Sequence, residues 1–250
     1  TMHLHTKALV LRETAYKESD KILTLLTQEQ GKLTASARGC RRKGSPLAAG
    51  SQLLVWSDFI LYEYQGRWSV KEAEVEREFR GMREDLDKFS LGCYFGEVTQ
   101  ALALEGLPSP ELLSLILNSL HALDRLDRPL ALVKGAFELR AMCLAGYEPV
   151  LDACAVCGCQ PEEPRFHLRE GVLHCARCRG EVGDGVSMPL DQGALAAMRH
   201  VAYGDPKRLF SFQLEEKSLS AFADVTEAYL LTQLERGFST LDFYKSLRLS

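Results

Sequence analysis

Long apolar runs are missing from this chain. Although 46% of its 250 residues are hydrophobic, no stretch approaches the length that spans a bilayer. Its first residues form no charged-then-apolar signal segment either, so the expected location is the cytoplasm, with no membrane partner. Catalytic constellations are missing as well. Without a G-x-x-x-x-G-K-[ST] loop to cradle phosphates, a P-loop motor is excluded. Neither a G-x-S-x-G elbow nor a His-Glu-x-x-His pair is present, so the commonest hydrolase and metalloprotease signatures are excluded with it. The run Glu72, Glu74, Glu76, Glu78 has period two and reads as the exposed face of a strand, not as a cation-binding nuclease site. Internal repeats and low-complexity tracts are also lacking.

Against these absences stand four cysteines set as two tight pairs, Cys154-Ala-Val-Cys157 and Cys175-Ala-Arg-Cys178. Eight cysteines without a secretion signal point to a reducing compartment, where C-x-x-C steps bind metal instead of cross-linking. A soft divalent ion such as Zn²⁺ takes four thiolates at the corners of a tetrahedron, and each C-x-x-C knuckle delivers two. Gly158 follows the first knuckle and Gly180 closely follows the second, where a tight turn often needs positive φ. Between them, Arg165–Leu168 and Val172–Cys175 read as short strands around a Glu170-Gly171 turn, the plan of a zinc ribbon. Reducible disulfides and a redox C-x-x-C are the alternatives; no βαβ pattern surrounds either pair to support the latter. Cys159 and His174 lie beside the four and are alternative donors. Four protein thiolates leave no open position for a reactive water, so the expected ion is a structural Zn²⁺, one per chain. Cys40, Cys93 and Cys143 stand alone.

Charge is unevenly spread. Up to residue 70 there are ten Lys and Arg against six Asp and Glu, leaving that segment at +4; a chain total of −4 leaves the remainder at −8. A basic front on an acidic remainder places any polyanion binding at the front. The same front reads as β. Leu4–Leu11, Lys21–Thr27, Lys32–Arg38, Gln52–Tyr64 and Trp68–Val75 are five strand candidates, with turns at Gln30-Gly31 and Gln65-Gly66. Five strands in so short a segment fit a small closed barrel, an OB-fold first and an SH3-like barrel as the alternative.

Between the third and fourth strands comes Arg38-Gly39-Cys40-Arg41-Arg42-Lys43-Gly44-Ser45-Pro46, four cations in six residues flanked by glycines. Such a loop is exposed and mobile, and its cations can follow a phosphate backbone by releasing condensed counterions. Lys32, Arg38, Arg41, Arg42 and Lys43 are the expected phosphate-holding residues. Trp56, Phe59, Tyr62, Tyr64 and Trp68 lie on the strands that follow; at least half should be barrel core, and any on the wet face can stack on bases.

After Arg80 the period changes from two to 3.6. Apolar stripes run through Leu86–Leu102, then from Ser109-Pro110 to Leu123, from Pro129 to Met142, from Leu190 to Val201, and from Leu219 to Leu234, with Gly237 as a stop. The expected class is therefore α+β and multidomain. An OB-fold domain spans 1–80 and a helical domain 81–250, the latter interrupted by a zinc module at about 151–185.

The order of these parts resembles the bacterial DNA repair family RecO. The matching segments are Ala8-Leu-Val-Leu-Arg12, Tyr16-Lys-Glu-Ser-Asp-Lys-Ile22, Leu25-Leu-Thr-Gln-Glu-Gln-Gly-Lys-Leu33 and Ala37-Arg-Gly-Cys-Arg-Arg-Lys-Gly-Ser45. The likeness extends through the helical part and the four cysteines to Ser239-Thr-Leu-Asp-Phe-Tyr244. The family pattern has Lys-Ser where this chain has Lys43-Gly-Ser45. The resemblance implies a non-enzymatic mediator that binds single- and double-stranded DNA and anneals complementary strands. It further implies work with RecR, in some settings with RecF, to load RecA on strands coated by single-strand-binding protein, on the nucleoid when DNA is damaged. A metal-dependent nucleic-acid-processing enzyme and a zinc-stabilised interaction scaffold without DNA binding are the rival readings.

Overall fold

The computed structural model describes residues 2–248. Five strands, β1 (Met2–Tyr16), β2 (Asp20–Thr27), β3 (Gly31–Ala37), β4 (Trp56–Tyr64) and β5 (Arg67–Arg77), close into a barrel in the order β1-β2-β3-β5-β4. Closure has two causes. The long first strand serves both neighbours, pairing with β4 through Met2–Leu9 and with β2 through Ala8–Tyr16. Its register shifts between Val10 and Arg12, a bulge that bends the strand from one partner to the other. A short parallel pairing, Ala35 with Trp68 and Ser36 with Ser69, completes the ring. This is the five-stranded OB arrangement.

Alternation sorts the side chains. Ala8, Val10, Leu23, Leu25, Leu33, Ala35, Phe59, Leu61 and Val70 point inward and form the barrel core. Each fully buried leucine or phenylalanine among them contributes about 1.5–3 kcal/mol over an exposed one. The fourth strand starts at Trp56, later than the apolar run beginning at Gln52 suggests. Leu54 and Val55 are buried but lie off the ladder: Leu54 N–H donates to Val10 O (2.8 Å), Val10 N–H donates to Val55 O (3.2 Å), and Leu54 has φ +59°. They plug the β1 bulge, a use of apolar residues that hydropathy cannot tell from a strand.

Strand gives way to helix at Phe79, before α1 (Arg80–Arg83), α2 (Leu86–Leu102) and α3 (Pro110–Arg125). The Asp85 carboxylate caps α2 by accepting from Lys88 N–H (3.0 Å). The chain packs as two compact units. One runs through Arg125 and takes back the segment from Phe238; the other is Leu126–Gly237. In the first, the closing helix α7 (Ser239–Leu247), which the stripes do not announce, lies on α2. The Phe238 ring meets Tyr94 edge-on at 5.8 Å, and the Glu97 carboxylate accepts from Thr240 N–H (3.1 Å).

The second unit holds α4 (Leu130–Leu144), α5 (Gln192–Tyr203) and α6 (Glu216–Leu234), with a small sheet in the order β7-β6-β8. Its strands are β6 (Arg165–His167), β7 (Val172–His174) and β8 (Ser187–Pro189). The ribbon strands fall where expected; β8 is an addition. Buried Lys134 on α4 reaches Glu138 (2.7 Å) and, on α6, Glu227 (2.6 Å), while the Thr226 hydroxyl donates to Glu138 (3.1 Å). Burial alone would lower the Lys134 pKa; the two carboxylates reverse this and the net shift is upward. Helix α6 also carries the small sheet. Tyr229 stacks edge-on against Phe166 at 5.0 Å, and Gln233 donates to the Leu168 and Arg169 carbonyls (2.8 and 2.9 Å). Among the described residues, no helix is long and apolar enough to cross a membrane.

Candidate nucleic-acid interface and metal centre

The first knuckle is a closed turn. Gly158 N–H donates to Cys154 O (2.9 Å), Cys154 N–H donates to Cys159 O (2.9 Å), and Gly158 takes φ +71°. The second continues from β7: Cys175 follows His174, a 3₁₀ turn at Ala176–Cys178 brings Cys178 N–H to Cys175 O (3.2 Å), and Gly180 takes φ +94°. Ala155 N–H donates to Leu173 O (2.9 Å), which ties the first knuckle to the strand that carries the second. The sulfurs of Cys154, Cys157, Cys175 and Cys178 consequently lie within 4.8 Å of one another. Cys157 and Cys175 are 3.8 Å apart. A tetrahedron with metal–sulfur bonds of about 2.3 Å has edges of about 3.8 Å, so the four residues fit a thiolate-bound divalent ion.

Electrostatics agree with that fit. The backbone N–H of Cys178 leads in pulling the Cys175 thiol down to about 6. Burial works to raise Cys154, but the N–H groups of Cys157, Cys175 and Val156 outweigh it and the net shift is downward. Cys178, driven first by burial and then by the neighbouring sulfurs, moves strongly upward. Sulfurs crowded like this cannot all carry charge without a cation among them. The alternative donors sort cleanly. His174 has Nδ1 against Cys175 O (3.1 Å) and Nε2 against the Ser187 hydroxyl (2.7 Å), so both ring nitrogens are engaged. Cys159 packs against the cluster but stays outside the group of four.

On the barrel, strand parity answers which aromatics are wet. Phe59 is core, whereas Tyr62 and Tyr64 point outward and Trp68 is half-buried against the core. Tyr16, Tyr62, Tyr64 and Trp68 line one groove of about 1130 Å³, together with the outward residues Thr34 and Ser36 of β3. Lys17, Arg38, Arg67 and Lys71 supply its cations. Lys71 Nζ stands 5.1 Å from the Tyr62 ring centre and Lys17 Nζ 5.3 Å from that of Tyr16, so charge and ring are presented together.

The basic loop borders this groove. Arg38 lines both the groove and a neighbouring depression with Lys17, Glu18, Ser19, Asp20, Gly39 and Arg42. The loop's base is fixed: Asp20 accepts from Gly39 N–H (2.7 Å), and Arg41 N–H donates to Ser19 O (2.9 Å). That Gly39 bond is the main reason the Asp20 carboxyl sits below its ordinary range. The loop is thus anchored at a defined point, with Arg41, Arg42 and Lys43 exposed. We expect Asp20→Ala to free this base, seen as faster hydrogen exchange at the Gly39 amide with the barrel amides unchanged; equal protection would show that the carboxylate is dispensable. The same loosening is expected in the native chain as pH falls through the depressed Asp20 pKa.

Lys32 is placed differently. It lies at the start of β3, away from the loop, and its Nζ donates to Gln100 O (3.0 Å) near the end of α2. The structure brings Arg38 and Arg42 together with Lys17, a residue that reading the basic run alone overlooks. Arg67 and Lys71 were also overlooked. Their signal was present: residues 67, 69 and 71 alternate with inward Val70, so both cations share the outward face with Ser69.

The family described as "Recombination protein O N terminal" matches residues 2–79, and "Recombination protein O C terminal" matches residues 83–242. The chain is 32% identical to "DNA repair protein RecO" of Acetivibrio thermocellus over 98% of its own length and 97% of that protein. Identity to the protein of that name from Alkaliphilus metalliredigens is 29%, covering 98% and 100%. With the one from Symbiobacterium thermophilum it is 32%, covering 96% of each.

Proposed function

The chain belongs to the recombination protein O family, and from that premise we propose that it is a non-enzymatic mediator of DNA repair and recombination. It binds single- and double-stranded DNA without reading sequence and anneals complementary strands. With RecR, and in some settings RecF, it helps load RecA on strands coated by single-strand-binding protein. The observation that carries this reading is the groove on the barrel, where four cations and four aromatic rings line one surface beside an exposed basic loop. Annealing requires that two like-charged strands be neutralised and still exchange partners. Cations follow phosphates whatever the sequence, and rings stack on any base. Arg38, Arg41, Arg42 and Lys43 hold phosphates in this scheme, joined by Lys17, Arg67 and Lys71. Lys32, engaged with α2, contributes least.

The metal has no part in chemistry here. Cys154, Cys157, Cys175 and Cys178 hold one Zn²⁺ as a staple, since four sulfur donors complete a tetrahedral shell and leave no position for an activated water. The barrel of residues 1–80 carries DNA contact, and the ion keeps the module at about 151–185 in shape.

One titration tests the core of this reading. A fluorescently labelled single strand added to the full-length protein should gain anisotropy at low salt, lose much of it at higher salt, and emerge intact after long incubation with Zn²⁺ or Mg²⁺. Absent binding at low salt would leave an interaction scaffold as the better reading. Cleaved or deaminated oligonucleotide would make the protein an enzyme.

A further inference from the structure

A fifth thiol stands beside the four that form the metal centre. Cys159 packs against Cys154, Cys175 and Cys178 without joining the group of four, and its carbonyl accepts from Cys154 N–H (2.9 Å), which holds it at the knuckle. Exposure is graded across the cluster: Cys154, Cys175 and Cys178 are buried, Cys159 is half-buried, and Cys157 is exposed. Only Gly158 separates the exposed ligand from the spare thiol, and its positive φ folds the chain back between them. A structural site needs four sulfurs and gains nothing from a fifth. A fifth does matter when one of the four is oxidised. An oxidised cysteine whose neighbouring sulfurs are all engaged by the ion meets no free thiol and climbs to irreversible acids, whereas one beside an unengaged thiol is diverted to a disulfide that reduction restores.

We propose that Cys159 is the resolving thiol of a peroxide-sensitive metal centre, with exposed Cys157 as the sulfur attacked first. Hydrogen peroxide oxidises the Cys157 sulfur. The Cys157 thiolate takes one peroxide oxygen: the O–O bond breaks, an S–O bond forms, and the departing hydroxide picks up a solvent proton to leave as water, giving a sulfenic acid once the sulfur is released. The Cys159 sulfur then attacks the Cys157 sulfur. An S–S bond forms, the S–O bond breaks, and a second water carries off the Cys159 proton. Two electrons have passed from the two sulfurs to the peroxide. Cys157 is thereby withdrawn, three sulfurs remain, and the site no longer holds its ion. A dithiol reductant reverses the S–S bond and regenerates the four-sulfur set. The proposal rests on the reading that the four cysteines bind zinc.

The experiment uses full-length protein in which Cys40, Cys93 and Cys143 are serine, loaded with zinc and assayed by elemental analysis before treatment. Hydrogen peroxide is added with a chromogenic zinc chelator present, and disulfides are mapped by mass spectrometry. We expect zinc release together with a Cys157–Cys159 disulfide, and zinc re-uptake after dithiothreitol once fresh zinc is supplied. In Cys159→Ser, bound zinc should be normal before peroxide, but reversible release should be lost and Cys157 should instead advance to sulfinic acid. Reversible release unchanged in Cys159→Ser would overturn the proposal. So would a wild-type disulfide that omits Cys159, or a variant that cannot load zinc, which would make Cys159 a ligand. Protein that binds no zinc before treatment would instead defeat the metal reading and take this inference with it.

Discussion

Alanine at Arg38, Arg41, Arg42 and Lys43 together is expected to flatten the salt dependence of single-strand binding by up to about 2.8 in log–log slope. The figure follows from counterion release at roughly 0.7 per neutralised single-strand phosphate. Between 50 and 200 mM salt a slope difference of about 2.8 makes the wild type lose about fiftyfold more affinity than the variant. Lys32→Ala is the matched control, since its Nζ already donates to Gln100 O and its loss should leave the slope alone. Tyr64→Ala separates the two kinds of contact. That ring is more than half exposed on the groove, so its removal should cost roughly 1–3 kcal/mol at every salt concentration with the slope preserved. Anisotropy titrations at several salt concentrations measure all of these. A quadruple variant with the wild-type slope would remove the loop from the interface.

Stripping the ion from the four-cysteine site is expected to have the other large effect, on stability instead of binding. A ligand that occupies only the folded state stabilises it by about 4 kcal/mol when its free concentration is about a thousand times its dissociation constant. In a unit of this size that corresponds to a fall in melting temperature on the order of 15 °C. The loss should appear in the transition of the Leu126–Gly237 unit. Three of the four sulfurs are buried there, and the first knuckle is tied to β7 through Ala155 and Leu173. Differential scanning calorimetry before and after chelation measures it, and Cys178→Ser should reproduce it with no chelator added. An unchanged transition after verified metal loss would mean that the module's hydrogen bonds suffice. Single-strand affinity should survive chelation, because the groove belongs to the barrel.

How much of this could be read from residues alone depends on the signal each part leaves. Paired cysteines are chemically singular and locally spaced, so the clustering of Cys154, Cys157, Cys175 and Cys178 was legible, as were the ribbon strands. Period two exposed the barrel, although β1 runs well past Leu11. Its second half, Arg12 to Tyr16, pairs with β2 through increasingly polar residues that hydropathy ignores. The Gln52–Val55 segment misleads in the opposite direction, its Leu54 and Val55 being apolar and buried yet off the ladder. Lys32 and Arg38 look equivalent in a tally of charge, yet one is spent on a helix carbonyl and the other lines the groove. Nothing local encodes that difference, because Gln100 is remote in the chain. Helix α7 escaped notice because two buried residues, Leu241 and Tyr244, are too few to set a period.

The position of α7 constrains how the protein is made. A ribosome adding roughly 5–20 residues per second must release the whole of Leu126–Gly237 before Phe238 and α7 emerge, a wait on the order of ten seconds. Throughout it the nascent barrel is present with Tyr94 and Glu97 on α2 lacking their Phe238 and Thr240 contacts. The amino-terminal unit, first to be translated, is thus the last to be finished, and a chain stalled short of Phe238 would offer chaperones an uncovered aromatic face.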